Sequence, residues 1–345
     1  MKRWEYSADI TVSKFTSHGD IAKVEANLQN LSRDFGACIA IPQLYGRDFL
    51  DRYPQALDDF WKFDNDLFPL LMIGMPLWAP FKIVKEGLAA RTRIITEIEA
   101  LYRRIDQYQH GHPIDFDADV SDVSETASER NKIYERDGRS FPERGVGDLA
   151  IFWGQNANTQ PVLFWLLTYV YSTFGILEQF REEIAPYIGI SRTTPPEITS
   201  LDIPRLSRNC QLLKACILET YRLVNEPTSI RYVARPITIT DGGLKHGLTQ
   251  GMFVSVPHSL TNRDASVYGD PDKFNPARFL EHDCSLGKLV ARDGRLKPWG
   301  AGAAMCKGRT FAEKEIMTLG ATTISMWNIA PADGRWELPA MVPGT

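Results

Sequence analysis

One cysteine lies in a glycine-rich loop near the carboxyl end of the chain, where a thiol could serve as a metal ligand. The loop reads Lys-Pro-Trp-Gly-Ala-Gly-Ala-Ala-Met-Cys-Lys-Gly-Arg over residues 297–309, with the cysteine at position 306. A metal-binding thiolate is stabilised by the charge of the metal, by backbone N–H groups or by the positive end of a helix. Gly300 and Gly302 allow a tight turn, and a helix is predicted to begin near Arg309. This arrangement favours a cysteine-ligated metal centre.

Two simpler interpretations compete with metal binding at Cys306. A free cysteine is commonly a small buried apolar side chain. A glycine-rich loop before a helix can also bind phosphate, but the dinucleotide-binding pattern requires a third glycine where this chain has Met305. The residues before the loop, Leu296 to Pro298, also make a poor strand. The aromatic residue, the glycines and the arginine together favour the metal ligand.

The pattern Trp-Gly-x-Gly-x-x-x-Cys-x-Gly-Arg resembles the haem-binding loop of the cytochrome P450 family. The resemblance implies haem b, iron protoporphyrin IX, as the cofactor, with Cys306 as the thiolate ligand of its iron. The residues that it implies for the haem-binding loop are Cys306, Trp299, Gly300, Gly302 and Gly308. The family often has a basic residue where this chain has Ala304, so a haem propionate has to be neutralised from elsewhere.

A set of charged residues upstream resembles the structural triad of the same family. Glu219 and Arg222 are three residues apart on a segment with helical apolar spacing, so they share one helix face. A lone pair of this kind is common and contributes little to stability. In the family a later arginine completes the triad, and Arg278 in Phe-Asn-Pro-Ala-Arg-Phe matches it. The resemblance implies that the triad maintains the fold around the cysteine loop and takes no part in the chemistry.

A β-branched segment follows Pro227 and is predicted to form a strand. By resemblance, Arg231 in this strand binds a haem propionate. A guanidinium suits that role because it donates two parallel hydrogen bonds to a carboxylate. A surface arginine on a strand is the simpler interpretation.

The apolar run over residues 147–171 is predicted to form a buried helix. Pro161 has no N–H for the carbonyl of Ala157, so a kink is expected there. The run resembles the P450 helix on the oxygen-binding side of haem, where most members carry an acid and a threonine. This chain has Ala157 and Asn158, followed by Thr159. The resemblance gives Asn158 and Thr159 the oxygen-side role, and the same departure marks the branch with sterol 7-alpha-hydroxylases and prostacyclin synthase.

The composition is that of an ordinary globular enzyme. Hydrophobic residues make up 43% and charged residues 24% of the 345 residues, so a large core can form. The net charge is −4 without a block of lysine or arginine, which argues against nucleic-acid binding. The five cysteines are odd in number and lack C-x-x-C spacing, which argues against a disulfide framework and a zinc site. His110 and His112 flank a glycine in a polar stretch and are expected to be solvated.

Residues 1–345 are expected to form a single partial P450 catalytic domain, mainly α-helical with small β-sheets, truncated at the amino terminus and slightly at the carboxyl terminus. Helical spacing covers residues 22–35 and 46–63, and residues 113–144 are expected to be a solvated linker or a helix start. Residues 67–81 are apolar and proline-interrupted with a basic flank, as expected of a membrane-surface contact or of a buried loop. We expect neither a signal peptide nor a membrane anchor in this chain.

By resemblance, the expected function is that of a haem-thiolate monooxygenase that hydroxylates a small apolar substrate with O2. The substrate classes are terpenoid, sterol-like or polyketide. The expected partners are NADPH-cytochrome P450 reductase and a membrane surface, since full-length relatives are anchored in the endoplasmic reticulum. One alternative is a haem-thiolate enzyme that isomerises its substrate or rearranges a peroxide without a reductase. Another is a non-catalytic fragment that no longer binds haem.

Overall fold

The computed structural model describes residues 2–12, 23–193 and 195–339. The start of the helix predicted from position 22 and the last residues of the chain, 340–345, lie outside these ranges. The chain divides into two compact units, Met1–Phe164 with Pro339–Thr345, and Trp165–Leu338. The assignment of the whole chain to a single domain stays a prediction.

The first unit is mainly helical in its described residues. Its helices are α1 (Leu28–Tyr45), α2 (Arg47–Arg52), α3 (Ala56–Trp61), α4 (Phe68–Met72), α5 (Lys82–Gln109), α6 (Glu125–Arg136), α7 (Phe141–Asn156) and the first part of α8 (Thr159–Ser172). A π-helical segment, Lys62–Leu67, joins α3 to α4. A short antiparallel pair, β1 (Thr11–Val12) and β2 (Val24–Glu25), precedes α1.

Helix α5 packs along α7 through a face on which buried residues recur every three or four positions. These buried residues include Val84, Ala90, Ile94, Ile98, Leu101 and Ile105. The contact requires Gly145 of α7, because a Cβ there would lie 2.7 Å from the carbonyl oxygen of Ile95. Gly87 is required where α5 meets the π-helical segment, because a Cβ there would lie 2.6 Å from Cβ of Leu67. Both glycines therefore fix α5 against its neighbours.

The long apolar run forms two helices instead of the single kinked helix predicted from the sequence. Helix α7 begins where it does because Ser140 and Glu143 form a capping box, in which the Ser140 N–H donates to the Glu143 carboxylate at 2.8 Å. Helices α7 and α8 are separated at Ala157 and Asn158. Pro161 cannot supply the N–H that the Ala157 carbonyl would accept, which explains why the helix breaks there.

The segment predicted as a solvated linker or a helix start, residues 113–144, contains α6, whose first turn is capped by Ser124 accepting the N–H of Ala127 at 3.1 Å. Two predicted helix bounds in the first unit are corrected. Helix α1 continues to Tyr45, ten residues beyond the predicted end at Phe35. The predicted helical region 46–63 is interrupted at residues 53–55, because Pro54 cannot continue a helix.

The second unit combines helices with two-stranded antiparallel sheets. Its helices are the rest of α8, α9 (Ile176–Ile184), α10 (Ile203–Asn209), α11 (Gln211–Val224), α12 (His258–Asn262) and α13 (Arg309–Met326). Its strands are β3 (Ile188–Ile190), β4 (Ile198–Leu201), β5 (Thr228–Tyr232), β6 (Ile237–Asp241), β7 (Leu244–Leu248), β8 (Phe253–Pro257), β9 (Leu280–Asp283) and β10 (Lys288–Ala291). Strand β3 pairs with β4, β5 with β8, β6 with β7 and β9 with β10.

Several predicted elements of the second unit are confirmed. Helix α11 carries Glu219 and Arg222, and ten of its 14 residues are buried. Helix α13 begins at Arg309, directly after the cysteine loop, and β5 follows Pro227. The prediction of a mainly α-helical chain with small β-sheets is confirmed for the described residues.

Among the described residues, no single helix is long and apolar enough to cross a membrane. Two consecutive helical stretches, residues 141–172 (α7 with α8) and 176–187 (α9 with the turn after it), meet the length and composition criteria together but are bent by 115°.

Candidate functional site

The cysteine loop folds back on itself between β10 and α13. Gly300 and Gly302 have φ values of 72° and 67°, a region that residues with a Cβ adopt at a cost in free energy. The N–H of Cys306 donates to the carbonyl oxygen of Trp299 at 2.9 Å. The guanidinium of Arg309 donates to the carbonyl oxygen of Cys306 at 2.9 Å. These bonds close the loop and connect it to the first turn of α13.

The sulfur of Cys306 is open to a ligand. The residue is exposed, and its Sγ takes part in no hydrogen bond with the described part of the chain. A Cβ at Gly308 would lie 3.9 Å from this sulfur, so the glycine leaves its approach clear. Cys284, in the turn between β9 and β10, is also exposed. A soft anionic sulfur donor is a common protein ligand for haem iron, so the donor set fits haem.

The loop is attached to α11 through its aromatic residue. The rings of Trp299 and Tyr221 meet edge to face, with centroids 5.0 Å apart. The side-chain amide of Asn225 donates to the carbonyl oxygen of Pro298 at 3.3 Å. A cavity of about 680 Å³ borders this attachment, but Cys306 does not line it. We therefore assign the cavity no role in binding a cofactor through the cysteine.

Arg231 of β5 lies against the same loop. Its guanidinium donates to the carbonyl oxygen of Ala301 at 3.0 Å and to that of Ile230 at 2.8 Å. The side chain is exposed and makes no ion pair with the described residues. A guanidinium without a carboxylate partner, bonded to the loop that carries an open thiol, suits a cofactor that has both a metal and carboxylates.

Glu219, Arg222 and Arg278 come together in the second unit. Glu219 and Arg222 are 0% and 1% exposed, and their side chains form two hydrogen bonds, at 2.7 and 2.9 Å. Arg278 donates to the same carboxylate at 3.1 Å. Two cations thus share one carboxylate, and the remaining charge is offset by backbone carbonyls.

The backbone partners of the two arginines come from a later segment of the chain. Arg222 donates to the carbonyl oxygens of Asn262, at 2.7 Å, and Lys273, at 3.4 Å. Arg278 donates to the carbonyl oxygens of residues 269, 270 and 273. The N–H of Asn275 donates to Glu219 at 2.9 Å. Sequence reasoning missed Asn262 and Asn275, because they contribute backbone groups that carry no side-chain signal.

The break between α7 and α8 separates the two residues predicted on the oxygen side. Asn158 is exposed, whereas Thr159 is only 4% exposed. Both belong to the first unit, while Cys306, Trp299 and Arg231 belong to the second. An exposed stripe on α7 leads up to Asn158, and its residues are Val146, Gly147, Ala150, Ile151 and Gly154. Asn158 is therefore the member of the pair that a ligand can reach within its unit.

Comparison with known proteins decides the family. The family profile described as Cytochrome P450 matches residues 149–341, more than half of the chain. The chain belongs to the cytochrome P450 family. The matched part includes the charged triad, Arg231 and the cysteine loop, so the motifs of this P450 chain lie where the family profile applies.

Two curated relatives and one solved structure illustrate the similarity of this P450 chain to others. A cytochrome P450 monooxygenase of Gibberella zeae is 28% identical over 296 residues, covering 85% of this chain and 53% of the relative. The 25-hydroxycholesterol 7-alpha-hydroxylase of Rattus norvegicus is 25% identical over 321 residues, covering 89% and 73%.

The solved structure, described as retinoic acid bound cyanobacterial CYP120A1, has a TM-score of 0.62 and 20% identity. The alignment covers 86% of this chain and 60% of that structure. At this identity the likeness concerns the fold, which is the cytochrome P450 fold. The chain spans about half to three quarters of the length of the relatives and of the solved structure.

Proposed function

We propose that this protein acts as a haem-thiolate monooxygenase that hydroxylates an apolar substrate with O2 and electrons from NADPH-cytochrome P450 reductase. The observation that carries the proposal is the open sulfur of Cys306, in a loop whose carbonyl at Ala301 is bonded by Arg231. Cys306 would supply the thiolate for haem b, and Arg231 would bind a propionate. When bound, haem supplies the activation of oxygen.

The chain's own side chains have simpler tasks in this proposal. Gly300 and Gly302 form the turns of the loop, Gly308 leaves the approach to the sulfur clear, and Trp299 packs the loop on α11. Asn158 would donate and accept hydrogen bonds to oxygen or substrate, as an amide does without releasing a proton. We give Thr159 a supporting role, because burial removes its hydroxyl from direct contact with a ligand.

An apolar substrate is supported by the exposed stripe on α7 and by the relatives. The stripe presents Ala150, Ile151 and Gly154, none of which carries a polar side chain. The rat relative is named for acting on 25-hydroxycholesterol, a sterol. We therefore place terpenoid, sterol-like and polyketide compounds first among the candidate substrates.

We also propose that the protein contacts the membrane of the endoplasmic reticulum through the segment between α4 and α5. Trp78 is 82% exposed and Ile73 is 77% exposed, an unusual condition for large apolar side chains. Lys82 and Lys85 follow directly on the first turn of α5. Apolar and aromatic residues beside cations suit the boundary between lipid headgroups and acyl chains.

The decisive experiment compares two exposed cysteines in the full chain. Reconstitution with hemin, reduction and addition of carbon monoxide should give the absorbance band of a thiolate-ligated haem. We expect Cys306→Ala to abolish the band and Cys284→Ala to preserve it. A band that survives Cys306→Ala, or no haem binding by the unaltered chain, would rule the proposal out. The second of these outcomes supports a non-catalytic fragment.

A second candidate is an enzyme that isomerises its substrate or rearranges a peroxide without external electrons. It is favoured by the absence of an ionisable side chain at Ala157 and Asn158, where an amide cannot release a proton. Product formation from a peroxide substrate in the absence of reductase and NADPH would support this candidate. Strict dependence on the reductase would exclude it.

A further inference from the structure

We propose that Asp64 binds an alcohol hydroxyl of the substrate, so that the substrate is an apolar molecule that already carries this group. This inference rests on the proposed monooxygenase function. It is based on the carboxylate of Asp64 in the first unit, of which one oxygen accepts a hydrogen bond from the described residues and the other does not.

Asp64 is half-buried in the π-helical segment Lys62–Leu67. The segment has the wide hydrogen-bonding pattern of a π-helix, since the N–H of Phe68 donates to the carbonyl oxygen of Phe63. Such segments insert an extra residue into a helix and often occur at functional sites. Burial raises the pKa of the Asp64 carboxyl, against the lowering effect of its hydrogen bond to Trp153 and of the nearby Arg33. A carboxylate in this position is costly unless its oxygens are hydrogen-bonded.

One oxygen of Asp64 is bonded and the other is free among the described residues. The indole N–H of Trp153, on α7, donates to Oδ1 at 2.7 Å. Within the described part of the chain no hydrogen bond or ion pair uses Oδ2, and this atom is not among the buried atoms without a partner. Oδ2 is therefore accessible and can accept a hydrogen bond from a ligand.

Asp64 is joined to α7 through Trp153, next to the exposed stripe. Trp153 directly precedes Gly154, and a Cβ built at Gly154 would meet nothing within 4 Å. Phe68 packs against the Trp153 ring, with centroids 4.7 Å apart, so the indole that binds Asp64 has an apolar neighbour. In this proposal, a ligand on the exposed stripe next to Trp153 contacts apolar surface and places its hydroxyl on Oδ2 of Asp64. This is the arrangement that binds an apolar molecule in one orientation.

The position of Trp153, the partner of Asp64, along α7 gives the expected spacing of groups on the substrate. Trp153 and the C-cap residue Ala157 are four residues apart, which is roughly 6 Å along the axis at 1.5 Å per residue. Asn158 follows immediately. A hydroxyl held by Asp64 would therefore be several carbon atoms away from the part of the substrate that reaches Asn158.

The test measures binding rather than turnover, in the full chain. Equilibrium dialysis with tritiated ligands compares two pairs that differ by one hydroxyl, cholesterol with cholestane and 25-hydroxycholesterol with cholesterol. We expect the unaltered chain to bind the hydroxylated member of at least one pair about 10-fold more tightly, the value of one hydrogen bond to a charged acceptor. Because dialysis requires no haem, a failure of the proposed function at Cys306 would leave this result unaffected.

Variants then assign the discrimination to Asp64. We expect Asp64→Ala to reduce the ratio of the two dissociation constants to below about 2-fold. Asp64→Asn keeps an acceptor for the Trp153 indole and so protects the fold, and we expect it to lower the ratio at least 3-fold. Asp66→Ala, on the same segment, should leave the ratio unchanged. Equal binding of both members by the unaltered chain, or an undiminished ratio in folded Asp64→Asn, would overturn the inference.

Discussion

Glu219 and Arg278 are 59 residues apart in the chain, yet Oε1 of the glutamate accepts the Nε–H of the arginine at 3.1 Å. The same glutamate is bonded twice by Arg222, which is almost completely buried. The carboxylate is thus the centre of the second unit's polar core. Its removal would leave two guanidinium groups without their anion.

We predict that Glu219→Ala lowers the free energy of unfolding by about 3–5 kcal/mol, the usual cost of breaking a buried ion pair. Chemical denaturation measures it. The matched control is Arg205→Ala, which removes an exposed pair with the same spacing, Asp202 and Arg205, and should cost less than about 1 kcal/mol. Equal losses in both variants would contradict the structural role of the triad.

Two glycines of α7 should respond in opposite directions to replacement by alanine. Gly145→Ala brings a Cβ within 2.7 Å of the Ile95 carbonyl oxygen, so the helices have to separate, and we expect a loss of about 1–3 kcal/mol. Gly154→Ala meets nothing within 4 Å and removes a flexible residue from a helix, so stability should rise by up to about 1 kcal/mol. Thermal denaturation of the two variants checks the signs. A stabilising Gly145→Ala would refute the close approach of α5 and α7.

His110 should titrate above its ordinary pKa. Its Nδ1 bonds the carbonyl oxygen of Asp106 at 2.9 Å and its Nε2 lies 3.3 Å from the Glu135 carboxylate, and both contacts raise the pKa. Since the folded-state pKa is the higher one, the stability from this residue is complete below about pH 6.5 and is lost as pH rises through the folded value.

Proton NMR of the imidazole signals measures this titration. We expect Glu135→Gln to lower the pKa of His110, because the variant removes a negative charge beside Nε2. Glu129→Gln on the same helix is the control and should leave the titration in place. An unaltered His110 titration in Glu135→Gln would show that the ion pair does not form in solution.

The five cysteines should separate into two reactive and three slow thiols. Burial raises the pKa of Cys38 to about 11 and that of Cys210 to about 12, and it raises the pKa of Cys216 as well. Cys284 and Cys306 are exposed. With an aromatic disulfide reagent at pH 8, two thiols of the haem-free chain should react rapidly and the other three at least about 100-fold more slowly, as measured by the thiol that the reagent releases. Each of Cys284→Ser and Cys306→Ser should remove one rapid equivalent, and a third rapid thiol would contradict the described core.

The elements around the cysteine loop could be predicted because their signals are local. The spacing of Glu219 and Arg222 places both on one helix face, and the glycines before Cys306 indicate a tight turn before a helix. The start of α13 at Arg309 and the position of β5 after Pro227 followed from the same short patterns.

The first unit was less predictable because its features depend on contacts between distant residues. Thr159 is buried and Asn158 is exposed on account of the helix break between α7 and α8, and periodicity does not continue through a break. The hydrogen bond between Asp64 and Trp153 joins residues 89 positions apart, and no sequence pattern in either segment predicts it. It forms only because the π-helical segment lies next to α7.

The partners of Arg222 impose an order on folding during synthesis of the protein. Its carbonyl acceptors at positions 262 and 273, and the second cation at position 278, are translated 40 to 56 residues later than the arginine itself. At roughly 5–20 residues per second, a ribosome needs several seconds to deliver them. During that interval the guanidinium stays hydrated, and α11 cannot take its final place until the later segment has left the exit tunnel.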